Sequence, residues 1–343
     1  MAYTTINKSS EHFNTKLYTG NGSTQSITGV GFQPDLVWGK NRSSVTNHSL
    51  QDAVRGNTKV IKSSTSGAET TITNMVTSFD SDGFSLGADS DMNGSSANQV
   101  AWNWLANGAG SANTDGSISS TVSVNTTSGF SIVKWTGTGA NATVGHGLGV
   151  APKMILIKNT IDAVAWEVGH DAIGWTKKLR LNATDAEAVD SGAFNNTAPT
   201  SSVFSLGTNN TSNDSGDSMI AYCFADVQGY SKFSSYTGNG SGTDGTFVYT
   251  GFSPSFIMFK STSTTGGWEI HDNKRDTFNP SSKRLFPNLS NAEATENYVD
   301  FVSNGFKFRT GDATGNTNGT SYIYMAFAEA PLVGTNGVTA KAR

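Results

Sequence analysis

Two clusters of polar side chains have the residue types and spacing to do chemistry. Trp166-Glu167-Val168-Gly169-His170-Asp171 and Trp268-Glu269-Ile270-His271-Asp272 each set an imidazole beside carboxylates, the raw material of general acid–base catalysis. His48 and Leu50-Gln51-Asp52 hold the corresponding place in an earlier stretch. An active site is normally built once, whereas this constellation recurs, and no Gly-x-Ser-x-Gly nucleophile elbow accompanies it. The residues therefore predict a core tryptophan followed by polar turn residues, and no enzyme. Glycoside hydrolysis would need two carboxylates ~5–10 Å apart across a cleft. Glu167 and Glu269, each with a distant aspartate, are the acids that such a reading would use.

Asp89-Ser90-Asp91-Met92-Asn93-Gly94 fits positions 1, 3, 5 and 6 of a calcium loop, where carboxylate and amide oxygens converge at a glycine turn. The twelfth position is Val100, so the bidentate carboxylate is missing. An ordinary polar hairpin is expected, with Asp80, Asp82, Asp89 and Asp91 as weak calcium candidates and no other cofactor. Aromatics give the better binding signal. Trp175, Tyr230, Tyr236 and Tyr298 lie in Gly/Ser/Asn-rich contexts, where a flat ring could stack on a sugar or anchor an interface.

The elements that must position these residues come in threes. Tyr18-Thr19-Gly20-Asn21-Gly22 returns as Trp135-Thr136-Gly137-Thr138-Gly139 and as Tyr236-Thr237-Gly238-Asn239-Gly240. Pro34 to Lys40 returns as Pro152 to Lys158 and Pro254 to Lys260, each a core strand with lysine at its exit. Closing strands end on Trp104, Phe224 and Phe327, at offsets of 120 and 103, close to the 118 and 102 that separate the prolines. Constant offsets identify an internal repeat. The first offset is longer by roughly the Gly/Ser/Asn/Thr-rich stretch Asn107 to Ser128, which has a linker's composition.

The expected organisation is an N-terminal arm (1–12), repeats at 13–106, 129–228 and 229–331, a linker at 107–128 and a C-terminal tail (332–343). Runs such as Phe247-Val248-Tyr249-Thr250 and Phe256-Ile257-Met258-Phe259 are β-branched or aromatic, and Asn-Gly and Asp-Gly turns are dense. These features predict an all-β fold of three tandem antiparallel, jelly-roll-like β-sandwiches. Apolar runs without strict alternation point to strands buried on both faces. Single helical turns or bulged loops are expected at 66–70, 183–189 and 290–295. A chain of 343 residues would bury three modest cores rather than one large one.

Composition narrows the partners. A net charge of −4 and the lack of any long Lys/Arg cluster remove the footprint for nucleic acid. One cysteine, Cys223, allows no intramolecular disulfide. The N-terminal sequence has neither a basic n-region nor an apolar h-region, and no apolar run approaches a membrane span. Synthesis in a cytoplasm, without membrane insertion, is expected.

Taken with Ser26 to Asp35, Gly145-His146-Gly147-Leu148-Gly149-Val150-Ala151-Pro152-Lys153 and the ending Tyr324 to Pro331, the chain resembles a family of tandem-repeat virion proteins of marine tailed bacteriophages, often labelled tail fibre or lectin-like. The resemblance spans essentially the whole chain. It implies a virion structural protein, most readily a tail-associated adhesin recognising a host surface glycan or protein. The alternatives are a capsid decoration or cement protein and, third, a virion-borne polysaccharide-degrading enzyme. Other virion proteins would be bound through a globular face or through a terminal arm, Met1 to His12 or Leu332 to Arg343. A homo-oligomer, as a trimer, is the expectation from phage proteins generally.

Overall fold

The computed structural model describes residues 3–312 and 314–334. The expected Asn336-Gly337 turn, and the tail beyond Gly334, lie outside the described residues. The chain is all-β, and each repeat forms a lobe of an inner antiparallel sheet and outer antiparallel strands, which in lobe 2 make two separate two-stranded sheets. The same four strands build every inner sheet in the same order. In lobe 1 they are Phe13–Thr19, Asn98–Trp104, Leu36–Asn41 and Ser49–Asp52. In lobe 2 they are Phe130–Thr136, Ser218–Phe224, Met154–Asn159 and Glu167–His170. In lobe 3 they are Ser231–Thr237, Ser321–Pro331, Phe252–Ser261 and Trp268–Asp272. The outer sheets begin with Gln25–Thr28, Ala142–Gly145 and Phe247–Tyr249, paired with Gly83–Leu86, Val203–Leu206 and Gly305–Phe308 respectively.

Side chains alternate across a strand, and here both faces of the inner sheets are buried. On the closing strand of lobe 2, Met219, Ala221 and Cys223 enter the lobe's own core, whereas Ile220, Tyr222 and Phe224 face away from it. The second set joins its counterparts from the other lobes in one central cluster. At its middle Trp104, Phe224 and Phe327 meet, with ring centroids 6.3 Å (Trp104–Phe224), 5.8 Å (Trp104–Phe327) and 6.2 Å (Phe224–Phe327) apart, all edge to face. The expectation of three separate cores is therefore corrected. Each lobe has a core of its own, but a further one, drawn from all three, binds the lobes around a pseudo-threefold axis.

Three other expectations also change. Asn107 to Ser128 is not a linker: Ser111–Asn113 and Ser120–Asn125 form strands that extend the inner sheet of lobe 2 beyond Phe130–Thr136. The segments around Glu69, Glu187 and Glu293, expected as helical turns or bulged loops, are not helical but extended. Each glutamate N–H bonds a carbonyl of a neighbouring lobe, those of Thr160, Thr262 and Arg42 at 2.9, 2.8 and 2.9 Å. These bonds between lobes replace the i−4 partners a helix would supply. Finally, Lys40, Lys158 and Lys260 do not emerge at strand exits but are fully buried. Each ammonium donates to the carbonyl of the next residue, at 2.6, 2.8 and 2.6 Å, and burial pushes all three down to about 8.

The opening motif has a steric explanation. A Cβ on Gly20, Gly137 or Gly238 would lie 2.2, 2.1 or 2.3 Å from a backbone oxygen of the loop before the closing strand. The second glycines, Gly22, Gly139 and Gly240, have φ near +70°, which favours glycine. A buried asparagine clamps each motif: Asn93, Asn213 and Asn316 accept from the N–H of Asn21, Thr138 and Asn239 at 2.9, 2.9 and 3.0 Å.

Because the aromatic triangle is shared, Phe327→Ala should cost about 3–5 kcal/mol and destabilise all three lobes together. Denaturant titration read by tryptophan fluorescence and by circular dichroism should give coincident transitions, both at lower midpoint than the parent chain. Loss of lobe 3 alone would show instead as separated transitions.

Candidate functional site

Of the His-and-acid constellation, Asp52, His170 and Asp272 lie at the junctions between lobes, and strand register aligns them differently from the sequence. Asp52, His170 and Asp272 occupy one position, opposite Leu36, Met154 and Phe256. At the junction of lobes 1 and 2, Asp52 accepts from Arg55 Nε at 2.6 Å and from the Tyr222 hydroxyl at 2.8 Å. Between lobes 3 and 1, Asp272 accepts from Arg275 Nε at 2.5 Å and from Trp102 Nε1 at 3.1 Å. Burial would raise the Asp272 carboxyl, but the Arg275 guanidinium outweighs it and holds it below the usual range. Between lobes 2 and 3 the set is neutral: His170 replaces the aspartate, Ile173 the arginine and Met325 the aromatic donor. His170 Nδ1 accepts from Ala172 N–H at 3.1 Å, so its Nε2–H donates to Tyr324 O at 3.3 Å.

The acids of the hydrolase reading do not face a cleft. Glu167 is buried with Lys178 Nζ at 3.2 Å and the Thr211 hydroxyl. Glu269 is buried under a two-pronged contact from Arg284, 3.0 Å from Nε and 2.5 Å from Nη2. Each lies inside a separate lobe, and of their four carboxylate oxygens only Glu167 Oε1 has no hydrogen-bond partner among the described residues.

The aromatic candidates are corrected as well, since Trp175, Tyr230, Tyr236 and Tyr298 are all buried. Trp175 packs edge-on against Phe194, and Tyr230 joins the central cluster beside Phe327. Tyr236 stacks on Tyr322 at 4.8 Å. Tyr298 lies under the Arg284 guanidinium, 4.2 Å from its ring centroid. Tyr236 and Tyr298 lie on strands, Ser231–Thr237 and Ala294–Val302, while Trp175 and Tyr230 lie in turns.

The calcium candidates do not converge either. Asp80 accepts from Ser78 and Ser85 hydroxyls, both at 2.7 Å. Asp82 accepts from the N–H groups of Gly29 and Gly31 at 2.9 and 2.7 Å. Ser90–Asn93 is a helical turn capped by Asp89, which accepts from Asp91 N–H at 2.9 Å. Asp91 is 3.6 Å from Lys62 Nζ. Among the described residues the carboxylates that do approach one another are Asp162, Asp214 and Asp217, with oxygens within 4.8 Å. Asp217 also accepts from Asn159 Nδ2 at 2.8 Å.

The surface feature best suited to binding lies where the N-terminal arm crosses lobes 2 and 3. Two adjoining depressions, about 510 and 520 Å³, share Tyr3, Asp226 and Gln228. Exposed Thr126, Thr127 and Val150 line the first, and Lys232 and Tyr249 the second. The Tyr3 hydroxyl donates to Gly251 O at 2.6 Å. Its partial burial and its bond with Tyr249 push the phenol up to about 12, so it stays protonated at neutral pH. Asp226 is held by Lys232 Nζ and Phe233 N–H, both at 2.8 Å. Phe247 and Tyr249 are 47% and 57% exposed, with Val248 between them turned inward. Period-two alternation in Phe247-Val248-Tyr249 was the available sequence signal for these aromatics, whereas nothing local marks Tyr3 or Asp226.

A family profile described as a domain of unknown function (DUF7483) matches residues 8–331, and so all three lobes. The chain belongs to this family. No curated protein and no solved structure matches it. Within the DUF7483 span lie Asp226, Gln228, Lys232 and Tyr249 of the groove, while Tyr3 precedes it. No helix among the described residues is long and apolar enough to cross a membrane.

The neutral junction makes stability acid-sensitive. Burial pushes His170 down to about 4, and burial also lowers His12, His48, His146 and His271. On acidification the unfolded chain takes up these protons first, so their contribution is full above about pH 6.5 and fades as pH falls through the folded values. For His170 the loss by pH 4 is on the order of 3 kcal/mol. In urea unfolding from pH 7.5 to 4, His170→Gln should give a shallower fall in stability than the parent, whatever its stability at pH 7.5.

Proposed function

We propose that the protein is a bacteriophage virion structural protein acting as a tail-associated adhesin that binds a host surface glycan. The observation that carries this reading is the groove beside Tyr3 and Tyr249. It is open to solvent and sets aromatic rings beside Thr126, Thr127, Asp226, Gln228 and Lys232. Rings offer apolar faces to a sugar's C–H groups, and the surrounding donors and acceptors suit its hydroxyls. The virion setting rests on the resemblance of the repeats to marine phage proteins. The reading asks for binding without catalysis, and no metal. Other virion proteins are the expected neighbours in the particle.

Capsid decoration is the second reading. The pseudo-threefold arrangement favours it, because three similar lobes around one axis present similar faces to a threefold position.

Binding to an array of bacterial surface polysaccharide fragments tests the first reading. Retention of at least one fragment is expected, with Tyr249→Ala weakening it at least about tenfold and leaving the melting temperature nearly unchanged. No retention, or equal binding by the variant, would overturn it. Detecting the protein in particles that have shed their tails would move the assignment to the capsid.

A further inference from the structure

We propose that the Phe247–Tyr249 strand is a docking edge for an extended segment of another polypeptide, added parallel to it as a further strand of the outer sheet of lobe 3. The molecule carries an occupied copy of the same site. In lobe 2 the equivalent strand, Ala142–Gly145, is covered by residues 116–120 of the chain itself. Ile118 bridges Val144 in parallel fashion, and its N–H donates to Thr143 O at 3.0 Å. The Thr143 N–H in turn donates to Ser117 Oγ at 2.8 Å, and Ser120 Oγ donates to Gly145 O at 3.1 Å. Gly116 lies so close that a Cβ on it would be 2.4 Å from Thr143 O.

Register places Phe247 where Thr143 stands, since Val144 and Val248 face the equivalent Phe204 and Phe306. The bonds from Phe308 N–H to Thr246 O and from Thr250 N–H to Asn304 O turn those residues toward the Gly305–Phe308 strand. Phe247 therefore directs its N–H and C=O outward. Among the described residues no hydrogen bond reaches either group. The neighbouring Tyr249 C=O receives only the Tyr324 hydroxyl, at 3.5 Å. Lobe 1 has the same open edge, but Ser26 and Thr28 line it. Only in lobe 3 does the edge carry exposed aromatic rings, and an apolar unpaired edge is a template for strand addition.

The occupied copy also defines the guest: a small residue, a hydroxyl residue and a β-branched aliphatic in succession, as in Gly116-Ser117-Ile118. This inference does not rest on the saccharide reading, because the edge works through the Phe247 backbone and the groove through side chains.

The probe is a synthetic peptide with the sequence of residues 114–122, titrated into the full chain with amide hydrogen exchange as readout. Saturable binding with slowed exchange at Phe247 is expected, and Phe247→Pro should weaken it at least tenfold. Proline there removes the outward N–H while leaving the ladder to Gly305–Phe308 intact, so binding of any saccharide to the groove should persist. No saturation up to about 1 mM, equal binding of a scrambled peptide, protection confined to Thr143, or undiminished binding by the variant would each overturn the proposal. Should Phe247→Pro not fold, the exchange footprint on the parent chain decides.

Discussion

The contact on which the molecule depends is the triangle of Trp104, Phe224 and Phe327. Each ring ends the inward face of a closing strand and, besides neighbours in its own lobe such as Phe13, Phe130 and Phe233, meets the rings of the other two. An inner sheet that must bury a second face cannot stand alone in water, because that face exposes tryptophan, phenylalanine and methionine together. The lobes are thus conditional on one another. Hydrogen bonds then fix the rotation: Trp166 Nε1 donates to Lys62 O at 3.0 Å and Trp268 Nε1 to Arg180 O at 2.9 Å, repeating one contact around the axis.

The three junctions solve the same packing problem with different chemistry. Two bury an aspartate–arginine pair, and the charges are tolerated because backbone N–H groups and an aromatic donor satisfy the remaining lone pairs. The third replaces all the members at once with histidine, isoleucine and methionine. Loss of the arginine alone would leave the aspartate buried without its counter-ion, whereas Arg55 and Arg275 are also paired with Glu69 and Glu293, at 3.0 and 3.2 Å. Changing the whole set keeps every group accounted for.

Much of the fold was legible in the sequence because it is written in local terms. Gly20 and Gly22 and their repeats mark a close approach and a left-handed turn, and Trp104, Phe224 and Phe327 fall at matching offsets. What could not be read depends on where faces point after folding. Trp175 follows a glycine and Tyr298 an asparagine, yet long-range packing, against Phe194 and under Arg284, buries both. Glu69 lies in a helix-permissive stretch, but the Thr160 carbonyl of another lobe draws its N–H into an extended path. The 107–128 stretch has a linker's composition, and pairing with Phe130–Thr136 makes it a sheet edge. Of the groove, the alternation in Phe247-Val248-Tyr249 was visible, but the meeting of Tyr3 with Asp226 is a product of long-range packing.

Fusing three lobes into one chain has a consequence for how such a body can change. In a trimer of identical subunits, any substitution appears at every interface and on every face simultaneously, so it must be acceptable three times over. Here a residue is altered once. One seam can exchange its buried aspartate–arginine pair for a neutral set while the others keep theirs, and one sheet edge can turn aromatic while its counterparts stay polar or covered. The body keeps the mechanical economy of symmetry and gains a front, a back and a single distinguished side.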